Sequence, residues 1–277
     1  VAEVVRLSTD YLGERGLATP RLDAELLVGH ALGLARIDLY VHHDRPLSEE
    51  ELAACRALLA RRAQREPVAY ILGEWGFRGL RLAVDRRVLV PRPETELLAG
   101  RAIELAAALA EPAVLDVGTG SGALAIAIAS EVPGARVTAC DLSPAALELA
   151  GENAARAGVR IELVVSDLLA AFAGRRFDLI VANLPYIPAA DLATLEPEVA
   201  EWEPQLATVG GERGDELLEA LAGTATAHLA AGGWLAMECG PGQPETVAET
   251  LAAAGFREIR RFADLAGGER FVEGRAA

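Results

Sequence analysis

The sequence predicts an α/β fold behind a helical N-terminal region, on three observations. From Ala113 onward, short apolar segments of strand character alternate with amphipathic helical ones, the pattern of a mostly parallel sheet covered on both faces. Within that stretch Val114-Leu115-Asp116-Val117 runs directly into the glycine-rich turn Gly118-Thr119-Gly120-Ser121-Gly122 and then an apolar helix. The first 65 or so residues, by contrast, carry helical periodicity and no strand pattern. A chain of 277 residues accommodates two domains, and 52% hydrophobic with 24% charged residues excludes a disordered or collagen-like chain.

Taken in order, helices fit Val4 to Glu14 and Leu22 to Leu32. A third opens at Ser48-Glu49-Glu50-Glu51, a capping box with Ser48 as N-cap, and ends near Arg61 and Arg62, which suit a helix C-terminus. From Pro67 to Val90, apolar residues punctuated by Gly73, Gly76 and Gly79 predict a hairpin connector. Pro91-Arg92-Pro93-Glu94-Thr95-Glu96 begins the next helix. Strands then fit Ala113–Val117, Arg136–Asp141, Ile161–Val165, Phe177–Ala182, Gly233–Glu238, Arg257–Phe262 and Arg270–Gly274; helices fit Ala123–Ser130, Pro144–Ala157, Asp215–Ala230 and Pro244–Ala254. The expected division is a helical domain over 1–66, a connector over 67–92 and an α/β domain over 93–277.

The charge is uneven. Up to Arg92 there are 14 Arg and 13 acids; the remainder, with 12 Arg and 28 acids, carries −16, and there is no lysine. So acidic a C-terminal part is a poor binder of phosphate backbones, and no direct nucleic-acid partner is expected. Cys55, Cys140 and Cys239 lie far apart and form no CxxC pair, which argues against zinc and disulfides and fits a reducing cytoplasm. None of the four histidines sits in a motif, and no metal site is expected. No signal peptide and no membrane span are visible, so we expect a cytoplasmic protein without a membrane partner, acting as a monomer.

The glycine turn lets a ligand approach the backbone closely, and Asp141, closing the next strand 23 residues after Gly118, can accept hydrogen bonds from two ribose hydroxyls. A nicotinamide dinucleotide is the competing ligand, but the turn reads G-x-G-x-G rather than G-x-G-x-x-G. Asp116 stands where a carboxylate could meet a positive group such as an α-amine. Asp167, after Ser166, is placed to accept from an adenine amino group with Leu168 against the ring; the alternative for Asp167 is a helix cap. These acids suit S-adenosylmethionine, which is cationic and has no phosphate. The candidate cofactor residues are Asp116, Gly118, Thr119, Gly120, Ser121, Gly122, Asp141, Asp167, Leu168 and Asn183.

The fourth strand of this region ends in Asn183-Leu184-Pro185-Tyr186. At the C-terminal edge of an open sheet, the Asn183 side-chain carbonyl, the backbone carbonyl of Leu184 and the flat face of Tyr186 could hold a planar NH₂ group, its nitrogen aimed at a methyl donor. An amide nitrogen is a poor nucleophile because its lone pair is delocalised. Two acceptors gripping its N–H bonds orient it and stabilise the positive charge that builds there. Asn183 and Tyr186 are the catalytic candidates; Asn183, Leu184, Pro185 and Tyr186 are the substrate-binding ones.

In this order, the glycine turn, Asp141 and Asn183-Leu184-Pro185-Tyr186 resemble the seven-stranded, Rossmann-like S-adenosylmethionine-dependent methyltransferases that act on planar nitrogens. Pro67-Val68-Ala69-Tyr70-Ile71-Leu72-Gly73, the run from Val88 to Glu96, Glu203-Pro204, Glu238-Cys239-Gly240 with Gln243, and the closing Asp264 to Arg270 resemble the HemK/PrmC family of protein-(glutamine-N5) methyltransferases. The resemblance implies methylation of the glutamine in the Gly-Gly-Gln motif of class 1 peptide chain release factors, with S-adenosylhomocysteine as product. It also implies an antiparallel last strand and an N-terminal domain that helps grip the release factor. One departure stands out: the family's usual Asn-Pro-Pro-Tyr has Leu184 at its first proline. The group needed there is a carbonyl, which leucine also has, and Pro185 still pushes residue 184 into the extended region. The rival readings are a glutamine methyltransferase acting on a ribosomal protein, a nucleic-acid amino-group (adenine N6) methyltransferase, and a non-catalytic binding adaptor.

Overall fold

The computed structural model describes all of residues 1–277. The chain divides into two compact units, Val1–Glu74 with Glu196–Trp202, and Trp75–Leu195 with Glu203–Ala277.

The first unit is helical: α1 Ala2–Gly13, α2 Pro20–Leu32, α3 Asp38–Val41, α4 Glu49–Ala63 and α5 Val68–Leu72. Its core gathers Leu12, Leu17, Ala24, Leu27, Leu59 and Ile71, with a second cluster of Val1, Val28, Leu39 and Cys55. The capping box forms as predicted: the Glu51 N–H donates to Ser48 Oγ at 3.2 Å, and the Ser48 N–H donates to Glu51 Oε2 at 2.9 Å. An ion network ties in the distant segment. Buried Arg62 donates to Asp23 and to Glu198, each at 2.7 Å, and Arg65 donates to the other Glu198 oxygen at 2.7 Å. Buried charges of this kind persist when every partner is hydrogen-bonded.

The next elements are β1 Glu74–Phe77 and β2 Leu80–Ala83, a two-stranded ribbon, followed by α6 Thr95–Ala107. After them come β3 Ala113–Val117, α7 Ala123–Glu131, β4 Arg136–Asp141, α8 Pro144–Ala157, β5 Glu162–Val165, β6 Phe177–Ala182, β7 Ile187–Pro188, β8 Val209–Gly211, α9 Glu216–Thr224, β9 Leu229–Glu238, α10 Pro244–Ala253, β10 Arg257–Ala263 and β11 Glu269–Arg275. Seven strands form one sheet in the order β10-β11-β9-β6-β3-β4-β5. All neighbours pair in parallel except at β11, which runs antiparallel to both β9 and β10. The α/β class and the antiparallel last strand are thus as predicted.

One apolar layer joins α6, α7 and α8 to the sheet through Leu98, Ala102, Leu124, Ile128 and Ala154; another joins α9 and α10 through Leu218, Leu221, Val247 and Leu251. Helix α7 is buried from Ala123 through Ile128, which is why its sequence is apolar on every face. Each such isoleucine contributes roughly 1.5–3 kcal/mol by leaving water.

The sequence reading did not include α3, β7 or β8, and three stretches that it did assign differ. Val68–Leu72 is helical rather than part of a hairpin, because Pro67 starts the turn and Gly73, at φ 74°, closes it with its N–H on the Ala69 carbonyl. The helix expected to reach Ala230 ends at Thr224; a 3₁₀ turn follows, and β9 begins at Leu229, where pairing with Phe177 outweighs local propensity. The helix expected from Pro91 starts at Thr95.

Candidate active site

Strand register assembles the site. Val117 pairs with Cys140 on one side and Ala182 on the other, and Ala182 also pairs with Met237. The residues that follow or end these strands, Gly118, Asp141, Asn183 and Glu238, therefore share one sheet edge. It is the C-terminal edge, where β4 and β6 flank β3 on opposite sides and open sheets bind ligands. A cleft lies there, with about 1120 Å³ of free space including its open mouth. Of the predicted residues, Gly118, Thr119, Gly120, Ser121, Asp141, Asp167, Leu168, Asn183, Leu184 and Pro185 line it together.

The glycine turn is held from beneath. The N–H groups of Gly118 and Thr119 both donate to the Cys140 carbonyl at 2.9 Å. Gly118 has φ 72°, and a Cβ there would come within 2.8 Å of Leu184 Cδ2, so the turn and the acceptor loop leave no room for a side chain. Asp141 accepts from the Gly120 N–H and the Ser143 N–H, both at 2.9 Å, which fixes its carboxylate at the rim. At the end of β5, Leu168 takes a left-handed φ of 45°, a costly conformation for leucine. The Ser166 hydroxyl holds that turn by donating to the Leu168 carbonyl at 2.9 Å. Ser166 Oγ, not Asp167, accepts from the Ala171 N–H, so the cap reading does not describe Asp167.

Three predicted residues stand outside the cleft lining. Asp116 is 1% exposed; its Oδ2 accepts from the Thr119 hydroxyl at 2.6 Å and the Ala125 N–H at 3.2 Å, beneath the glycine turn. Burial pushes its pKa up to about 7. Gly122 serves packing: a Cβ there would meet Ile126 at 2.9 Å and Ala150 at 3.2 Å. Tyr186 is anchored at both ends. Its hydroxyl accepts from Arg270 Nη2 at 2.9 Å, and its carbonyl accepts from Gln243 Nε2 at 2.8 Å. The sequence reading assigned Tyr186 a flat face and no role for its hydroxyl. Burial also raises the pKa of that phenol.

Two residues without a sequence-assigned role back Asn183. Asn183 Nδ2 donates to Thr95 Oγ1 at 2.9 Å, and the Thr95 hydroxyl donates to Glu238 Oε2 at 2.7 Å. Both lie in segments that stand out in the sequence, but 88 and 143 residues separate the bonded partners, so local spacing carried no signal. No cluster of three or more His, Cys, Asp or Glu side chains is placed to hold a metal ion, and no helix is long and apolar enough to cross a membrane.

Comparison with known proteins adds to this geometry. The PrmC N-terminal domain matches residues 3–73 and a methyltransferase domain matches residues 114–202. The release factor glutamine methyltransferase of Geobacter sulfurreducens is 45% identical over 99% of this chain and 96% of its own length. This chain belongs to the release factor glutamine methyltransferase family. Another member, from Chlorobaculum tepidum, is 48% identical over 86% of this chain and 84% of its own. Among solved structures, a methyltransferase from Pyrococcus furiosus superposes with a TM-score of 0.53 at 20% identity, covering 72% of this chain and 89% of that one, a likeness of fold. At Leu184, where the resemblance led us to expect a proline, the leucine side chain fills the space over Gly118.

Proposed function

We infer that this protein transfers a methyl group from S-adenosylmethionine to the side-chain amide nitrogen of a release factor glutamine, the one in the Gly-Gly-Gln motif of class 1 factors. The observation that carries this reading is the loop Asn183 to Tyr186 set against the glycine turn, in a chain of this family. The cleft fits a phosphate-free cation. Its two lining arginines are already neutralised, Arg87 by Asp85 and Glu152 and Arg92 by Glu203, while Asp141 and Asp167 remain at the rim. A dinucleotide would bring a pyrophosphate to a site with no unpaired cation.

The chemistry the cofactor supplies when bound is an electrophilic methyl group on a sulfonium. Asp141 would hold the ribose hydroxyls, Asp167 and Leu168 the adenine, and the turn from Gly118 to Ser121 would lie against the rest. Asn183 Oδ1 and the Leu184 carbonyl would accept the two N–H bonds of the glutamine amide, Tyr186 would close on its plane, and the nitrogen lone pair would be left facing the methyl donor. Held there, the amide is oriented for in-line attack, and its growing positive charge meets two fixed acceptors. The proton lost from the methylated nitrogen leaves to solvent.

Mass spectrometry of release factor after incubation with enzyme and isotopically labelled S-adenosylmethionine tests the reading: one labelled methyl is expected on the Gly-Gly-Gln glutamine. Label appearing instead on a ribosomal-protein or DNA control run in parallel would overturn it. For the cofactor, Asp141→Ala removes the ribose acceptors and frees the Gly120 and Ser143 N–H groups together. An affinity loss of about 1–3 kcal/mol is expected by calorimetry, with Asp141→Asn intermediate; unchanged affinity would move the ribose site elsewhere.

A further inference from the structure

We propose that Glu238 is a positioning residue: acting through Thr95, it locks the Asn183 side-chain amide with its oxygen toward the acceptor nitrogen. The proposal rests on the reading of Asn183 as an amide clamp. It follows from counting protons along Asn183–Thr95–Glu238. An asparagine side chain is nearly symmetric in shape, and nothing in Asn183 itself decides whether it shows the cleft an acceptor oxygen or a donor NH₂. Thr95 has one hydroxyl proton. The ionised Glu238 carboxylate only accepts, and takes that proton at 2.7 Å. Thr95 Oγ1 can then only accept from Asn183, which it does from Nδ2 at 2.9 Å. The NH₂ end is thereby held on Thr95, and Oδ1 is left for the substrate. Glu238 is buried, and Thr95, which borders the cleft, is 4% exposed, so the protein itself supplies both partners of the threonine hydroxyl.

The direction of the relay depends on the charge of Glu238. If its carboxyl is protonated it can donate to Thr95. The threonine proton is then released toward Asn183, whose amide turns to meet it with oxygen and presents NH₂ to the cleft. The groups facing Glu238 are Arg270 on β11, Arg92 and Glu94 ahead of α6, Thr95 itself, Tyr186 from the acceptor loop, and the adjoining Cys239. Glu238 Oε1 has no hydrogen-bond partner, and Arg270 Nη2 stands 4.0 Å from it. Burial outweighs these partners and raises the carboxyl's pKa above its usual range. The active, ionised form is thus lost as the pH falls, at a higher pH than for an ordinary carboxylate.

The test is single-turnover methylation of intact release factor at saturating S-adenosylmethionine, with cofactor affinity measured beside it. Thr95→Val keeps the shape without the hydroxyl. It is expected to slow transfer by about 10- to 100-fold, part of the loss seen when a preorganised acceptor is removed outright, while cofactor affinity changes by less than about threefold. Thr95→Ser restores the hydroxyl and most of the rate. Glu238→Gln, which cannot titrate, loses the acid limb of the wild-type pH–rate profile, and Thr95→Val/Glu238→Gln is no slower than Thr95→Val, because both act through one relay. A Thr95→Val enzyme as fast as wild type, or a Glu238→Gln enzyme that keeps the acid limb, overturns the relay. The second result decides the matter even if Thr95→Val fails to fold. A wild-type protein that leaves the glutamine unmethylated overturns the acceptor reading and the relay together, whereas a methylating wild type with an equally fast Thr95→Val variant overturns the relay alone.

Discussion

Asn183→Ala is expected to lower the rate constant for methyl transfer by on the order of 10²–10³, the loss typical of removing one preorganised partner of a developing charge. The size of the effect follows from how weak the nucleophile is. A carboxamide nitrogen shares its lone pair with its carbonyl, so attack requires that charge build on nitrogen while both N–H bonds are held. On the proposed clamp, alanine would leave the Leu184 carbonyl as the single grip. The bond Asn183 makes behind itself, to Thr95, is not a large stability term, because Thr95 keeps its bond to Glu238 when the amide is gone. Folding should therefore survive and the loss should appear in chemistry. Asn183 also borders the cleft, so the rate is read in single turnovers at saturating cofactor. Tyr186→Ala is expected to be damaging by another route, since it removes the ring and the hydroxyl that holds Arg270, while the loop keeps its carbonyl bond to Gln243. Tyr186→Phe is expected to be milder, because it keeps the ring 5.3 Å from the Arg270 guanidinium and removes only the hydroxyl partner of a side chain whose Nε is already unpartnered. A near-wild-type rate for Asn183→Ala would place the chemistry elsewhere.

The parts of the fold readable in the sequence are those whose cause is local. Strands β3, β4 and β6 and helix α7 are compact apolar runs and α8 is amphipathic, with Gly, Pro or Ser close to their ends, and the capping box at Ser48 is a four-residue motif whose hydrogen bonds close within itself. Local signals failed where a distant partner decides. Leu229 extends because it meets Phe177, although the run before it is helical in composition. The two-residue strand β7 pairs with β8, whose Val209 lies opposite Ile187, and neither is long enough to show periodicity. Glu196–Trp202 joins the helical unit through Glu198 and two arginines more than 130 residues earlier.

The candidate site divides the same way. Its cleft-lining residues could be picked out because glycine turns and strand-end acids are short patterns with a physical reason behind them. Its supporting layer could not. Thr95 and Glu238 reach Asn183 from the start of one helix and the end of another strand, and only the strand register Ala182–Met237 brings Glu238 to the acceptor loop. Asp116 illustrates the limit from the other side. Its position two residues before Gly118 suggested a ligand contact, but a carboxylate at the end of a buried central strand can also turn inward and hold the glycine turn from below, as its bonds to Thr119 and Ala125 do.

That buried carboxylate makes stability fall as the pH rises. In the unfolded chain Asp116 loses its proton near 3.8, whereas in the folded protein burial holds the proton until about 7. Between those values the native state binds more protons than the unfolded state, so unfolding releases protons and is favoured by raising the pH. The stabilising contribution is complete below the unfolded value and is lost as the pH passes the folded one. A separation of roughly three pKa units corresponds to at most about 4 kcal/mol. Asp116→Asn keeps an oxygen for the Thr119 hydroxyl and the Ala125 N–H but cannot ionise. Its unfolding free energy in denaturant should therefore gain on wild type by a few kcal/mol between about pH 4.5 and about pH 8. Measurement without added cofactor isolates this group, because a bound cation above the turn would favour the ionised form. Parallel pH profiles for the two proteins would mean that Asp116 is already ionised in the fold, and that its charge is met by something other than Thr119 and the Ala125 N–H.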